Sequence, residues 1–187
     1  MFTPPTNLSM FTRFRERLHE KKSIQGVFPR SYHTINWQQK KLSAIVLADA
    51  NIYEDANFQK FFNKLQQQFK EVQVVGFQST TSPVTHTEFL TFTNKEVDWM
   101  WRPNGESIKK LKNTTFELLI NLSQKKHLPL EYLAATCKAH YKIGAVTEYP
   151  NQYDLILKTE DFKSYLHQIH FFLSKFKKDS SMVFVGE

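Results

Sequence analysis

The chain has 187 residues, 41% apolar and 23% charged, enough for one domain with a buried core and an attached extension. Its net charge of +7 is segregated: residues 1–42 carry eight Lys/Arg against two acids, six of the seven excess positive charges. A single cysteine excludes an internal disulfide, five glycines count against a Gly-rich nucleotide loop, and no stretch approaches the ~18 apolar residues that span a bilayer.

In chain order, Pro4-Pro5 precedes an expected helix from Thr6 or Ser9 to about Lys22. Met10, Phe11, Phe14 and Leu18 recur at helical spacing, which leaves Arg13, Arg15, Arg17, Lys21 and Lys22 on the other faces. A connector with little regular structure runs on to Lys41, so residues 1–42 read as a basic helical extension. Ser43–Ala48 (SAIVLA) is a continuous apolar run of strand length, as a strand covered on both faces requires, and it ends at Asp49.

A helix is expected from about Glu54 to Lys70, with Phe58, Phe61, Phe62, Leu65 and Phe69 on one stripe. Val72–Phe77 is the next strand, and Phe89, Leu90 and Phe92 mark another beyond a Ser/Thr-rich turn. In VDWMWRPNGES, Trp99 and Trp101 share a face if the segment is extended. One or two helical turns at Ile108–Lys112 lead to a buried strand, Thr115–Leu122.

Pro129 suits the first position of a helix, where its missing N–H costs nothing. Leu130, Leu133, Ala134, Cys137 and Tyr141 continue at helical spacing, Lys142–Thr147 returns as a strand and Tyr153–Leu157 follows as another. The last helix, from Asp161 to about Lys178, has an acid at its start and lysines at its end, matching the helix dipole. Residues 43–178 thus form the expected α/β domain, with a C-terminal tail at 179–187. The fold class is α/β: a three-layer, Rossmann-like, mostly parallel sheet with helices on both faces.

Candidate site residues follow from position. Ligands of open parallel sheets bind beyond the carboxyl ends of the strands, where Asp49 and Asn121 stand. Against this, an Asp at a strand end also serves to bond the following turn. Trp99 and Trp101 beside Arg102 could stack on a base or sugar, or could cover the sheet edge. Cys137 falls on an apolar stripe and reads as a small core residue rather than a reactive thiol. His167 and His170 are three apart but have no third ligand set by local sequence, so no metal is expected, and no motif calls for a cofactor.

The stretches FELLINLS, LPLEYLAATCKAHYKIG and YDLIL, with SAIVLAD before them, resemble an uncharacterised family of small bacterial proteins with a basic N-terminal helix. That resemblance covers nearly the whole chain and implies a fold rather than an activity. More distantly, FELLIN, a small-residue helix and YKIG are similar to the N-terminal lobe of heptosyltransferase-like glycosyltransferases. Asp49-Ala50-Asn51 replaces the Gly-containing turn of those enzymes and no second lobe follows, so glycosyl transfer is not expected of this chain alone.

The functional expectation is a non-catalytic, cytoplasmic binding protein that engages RNA or a ribonucleoprotein particle through Arg13, Arg15, Arg17, Lys21 and Lys22. The alternative is a small-molecule site, enzymatic or not, near Asp49 and Asn121 with Trp99, Trp101 and Arg102 beside it. Peripheral membrane contact through Phe11 and Phe14 is a third reading.

Overall fold

The computed structural model describes Glu16 and residues 42–79, 89–146 and 152–178. Phe11, Arg13, Phe14, Arg15, Arg17, Lys21 and Lys22, most of the turn around Pro83, and the tail lie outside the described residues. The described chain runs β1 (Ser43–Asp49), a 3-10 turn (Ala50–Glu54), α1 (Ala56–Gln68), β2 (Glu71–Gln78) and β3 (Leu90–Thr93). After a short 3-10 turn (Asn94–Glu96) come α2 (Glu106–Asn113), β4 (Thr115–Asn121), α3 (Leu128–Thr136), β5 (Lys138–Ala145), β6 (Leu155–Leu157) and α4 (Phe162–Lys178).

The strands form one sheet in the order β3-β2-β1-β4-β5-β6, and every pairing is parallel. Two apolar clusters fill the spaces above and below it. Ala44, Val46 and Ala48 of β1 pack with α1 and α4 on one side, while Ile45 and Leu47 pack with α2 and α3 on the other. Burial on both faces explains why β1 is an uninterrupted apolar run, and the three-layer Rossmann-like expectation is met.

Local chemistry sets the element ends. The Asp55 carboxylate accepts from the N–H groups of Asn57 and Phe58 at 2.7 and 2.9 Å and so starts α1. Phe58, Phe61, Phe62 and Leu65 are buried beneath it. Phe58 is fully buried, and cutting it to Ala would cost ~3–5 kcal/mol. Asp161 starts α4 in the same way, accepting from the Ser164 N–H at 2.8 Å and the Ser164 hydroxyl at 2.6 Å.

One expected boundary is wrong. The helical spacing from Leu130 to Tyr141 outruns the helix, because α3 ends at Thr136, Cys137 is extended (φ −68°, ψ 138°) and Tyr141 lies inside β5. Two interactions favour the early stop. Lys138–Ile143 gains a parallel ladder with β4, and the buried Lys142 ammonium donates to the Ala134 and Ala135 carbonyls at 2.6 and 3.3 Å. A cation at the negative end of α3 satisfies carbonyls that the helix leaves bare.

Candidate functional site at the strand ends

The chain leaves β1 toward β2 on one side and returns from α2 as β4 on the other, so the order reverses between β1 and β4. Ligands of this sheet type bind at that switch point, beyond the carboxyl ends. Leu47 pairs with Asn121, and the Leu122 N–H donates to the Leu47 carbonyl at 2.8 Å, so the two candidate ends are side by side.

The two ends differ in availability. Asp49 makes no side-chain cap of the turn that follows. Its half-exposed carboxylate lies 3.3 Å from Nε2 of His127, the residue that precedes α3. The imidazole is also held edge-on to the Phe77 ring at the end of β2, with centroids 5.9 Å apart. An Asp–His pair of this kind can orient an imidazole and pass a proton. Among the described residues no Ser, Thr, Cys or Lys side chain hydrogen-bonds His127, so no nucleophile is assembled beside it.

Asn121 is 1% exposed and fully engaged. Its amide donates to the Tyr153 hydroxyl at 2.7 Å, its Oδ1 accepts from the Ser123 N–H at 3.1 Å, and its carbonyl accepts from the Tyr165 hydroxyl at 2.8 Å. Tyr153 in turn donates to Oε2 of buried Glu131 at 3.0 Å, and Gln152 Nε2 donates to the same oxygen. Burial pushes the Glu131 carboxyl up to about 7 against the pull of the Tyr153 and Gln152 hydrogen bonds. Burial also raises the Tyr153 hydroxyl, and the Glu131 charge raises it further. This cluster closes the end of β4 with the protein's own side chains.

Trp99, Trp101 and Arg102 belong to a tight loop beyond β3, closed by an antiparallel bridge between Val97 and Pro103. The loop is turned, not extended, so the two indoles part company. Asp98 organises it: Oδ1 accepts from the Met100 and Arg102 N–H groups at 2.8 and 3.0 Å, and Oδ2 meets the Arg102 guanidinium at 2.8 and 2.7 Å. Partial burial raises the Asp98 carboxyl, but the Arg102 and Met100 hydrogen bonds outweigh it and hold it below its ordinary value. Trp101 takes a left-handed backbone (φ 61°) and packs on Leu128 and Ala135 of α3, whereas Trp99 stays 57% exposed at the tip. Strain at a non-glycine residue costs ~1–2 kcal/mol and is held here by the loop's own hydrogen bonds.

The structure therefore sets the strand ends that carry Asp49 and Asn121 side by side, packs Trp101 on Leu128 and Ala135 of α3, and leaves Trp99 exposed. His127, Glu131 and Tyr153 were not singled out in the sequence. Glu131 had a usable signal, a lone acid in an apolar segment (LPLEYLAA) whose helix is buried nearly all round. His127 had none beyond standing after a strand end. Cys137 is buried, and desolvation pushes its thiol up to about 12, the reverse of an activated cysteine. No group of three His, Cys, Asp or Glu among the described residues could hold a metal, and no helix among them is long and apolar enough to cross a membrane. The arm touches this region at one described point: the Glu16 carboxylate lies 3.5 Å from Lys126 Nζ, next to His127.

The chain belongs to a family of unknown function, DUF6913, whose model matches residues 19–176. No curated protein matches it.

Proposed function

We propose that this chain is a non-catalytic, cytoplasmic binding protein that engages RNA, alone or within a ribonucleoprotein particle, through Arg13, Arg15, Arg17, Lys21 and Lys22. One observation carries this reading: six of the seven excess positive charges fall in residues 1–42, while the rest of the chain is close to neutral. Concentrated cations release counterions from a phosphate backbone, and affinity then falls steeply with salt. The closed end of β4 weakens the competing pocket reading by removing Asn121 from use. Deleting residues 1–24 should abolish a salt-sensitive retention on an RNA column. Unchanged retention would sink the proposal, and flotation with anionic liposomes in place of RNA retention would favour membrane contact through Phe11 and Phe14.

A second reading, a small-molecule site, rests on the half-exposed Asp49–His127 pair at the switch point. Because the sequence distantly resembles the N-terminal lobe of heptosyltransferase-like glycosyltransferases, nucleotides and sugar nucleotides are the compounds to try first. A ligand there should move the His127 ring signals in an NMR titration. If none of these compounds moves them, this reading loses its ground.

A further inference from the structure

A groove of about 810 Å³ runs between α1 and α4 on the solvent side of their layer. Buried Phe61 and Leu166 form its floor. Lys60 and Lys64 stand one turn apart on the α1 wall. Lys163, His167 and His170 follow one another along the α4 wall at i, i+4 and i+7, hence on one face. Among the described lining residues Asp161 is the one carboxylate, and both its oxygens are engaged by Ser164 at the start of α4.

Lys163 lies in the field of Asp161, whose carboxyl it helps to lower. Among the described residues Lys60, Lys64 and Lys163 make no ion pair. The described lining therefore holds three lysines and two imidazoles against one carboxylate, an excess of positive charge. His170, in the lining, is held below the ordinary histidine value, first by partial burial and then by the Lys64 and His167 charges. Bringing in an anion would relieve that repulsion.

We propose that the α1/α4 groove is a second RNA contact that takes the phosphodiester backbone of a single strand. Two rows of cations, each at the repeat of its helix, face one channel, which is a linear arrangement suited to a chain of phosphates. A positively charged groove of this kind can track the flexible backbone of a single strand. The proposal rests on the RNA-binding reading given above, but it makes its own claim about α1 and α4.

The test uses the full chain, a fluorescein-labelled single-stranded RNA 12-mer of mixed sequence, and anisotropy titrations at several salt concentrations. Four proteins are compared: wild type, the 1–24 deletion, the triple variant Lys60→Gln/Lys64→Gln/Lys163→Gln, and the combination. All three lysines are exposed, so the triple variant should keep the fold, which circular dichroism verifies. The groove predicts a loss of about tenfold in affinity for the triple variant and a salt slope shallower by about 2, from three phosphate contacts at ~0.7 each. RNA should also raise the NMR-detected pKa of His170 in wild type but not in the triple variant.

Unchanged affinity and slope in the triple variant would overturn the groove, and the arm reading would still stand if the deletion abolished binding. A weakened triple variant beside an unaffected deletion would support the groove and overturn the arm. No binding by wild type at low salt would overturn both. Lysine-dependent capture by vesicles of anionic lipid, with no RNA binding, would overturn the assignment to RNA.

Discussion

The side-chain amide of Asn121 donates to the Tyr153 hydroxyl at 2.7 Å, which ties the end of β4 to the residue that leads into β6. The proton chain has a direction: Asn121 donates to Tyr153, and Tyr153 donates to Glu131. Asp49, by contrast, keeps a partly exposed carboxylate at the switch point, 3.3 Å from His127. The strand ends are thus half structural lock and half open surface.

The lock should make stability depend on pH. The Glu131 carboxyl titrates at about 7 in the folded protein, against 4.5 for an ordinary glutamate. Between these values the folded state holds a proton that the unfolded chain has released, so stability falls as pH rises from about 4.5 to about 7. The shift corresponds to about 3 kcal/mol. Glu131→Gln should remove that slope and be the more stable protein at pH 8. Its new amide can also serve Gln152 Oε1, a buried oxygen with no hydrogen-bond partner. Urea midpoints from pH 4 to pH 8 read the effect, and parallel profiles for the two proteins would contradict it.

Tyr153 fits its place because residue 144 is glycine. A Cβ there would come within 2.6 Å of the Tyr153 ring. Gly144→Ala should therefore cost ~1–3 kcal/mol. In a Tyr153→Ala background the same substitution should cost clearly less, and a double-mutant cycle on denaturation energies measures the coupling. Tyr153→Phe keeps the ring but strips the partners of Asn121 and Glu131, at ~1–3 kcal/mol. Additive effects of Gly144→Ala and Tyr153→Ala would argue that the ring does not rest on the glycine.

Cys137 should be silent in the folded protein. Burial pushes its thiol up to about 12, and it is 2% exposed. A disulfide reagent at pH 8 should label it at the rate of unfolding, and rapidly in 6 M guanidinium. Fast labelling of native protein would show a different environment for the end of α3.

Lys142 offers a separate test of the α3–β5 corner. Lys142→Met keeps the aliphatic stem but strands the carbonyls of Ala134 and Ala135. The expected loss is ~1–3 kcal/mol, read from denaturant midpoints. An unchanged midpoint would mean that the ammonium does not hold that helix end.

Elements governed by one local pattern were legible in the sequence. SAIVLA announces a doubly covered strand, and the Phe58–Leu65 stripe announces α1, because periodicity and burial coincide there. The α3–β5 boundary was not, since helical spacing persists by accident through Cys137 to Tyr141, and the deciding contacts come from β4 and from Lys142. Asp49 and Asn121 were readable as strand ends, but their unequal availability was not. It depends on His127, Glu131 and Tyr153, which converge only once the sheet has formed. The Trp99–Arg102 segment misled because Trp101 turns its backbone left-handed, a conformation that a bulky residue does not advertise.

The order β3-β2-β1-β4-β5-β6 also dictates a sequence of events during synthesis. β1, one of the two central strands, is made first of the six described, and β2 covers only one of its edges. Its other edge pairs with Thr115–Asn121, which is made after both β2 and β3. Until then the nascent half-sheet exposes an apolar, unpaired edge, which is the kind of surface that recruits chaperones or mispairs with another chain. The window closes only when Thr115–Asn121 has left the ribosome and paired, so slow translation between β2 and that point would lengthen it.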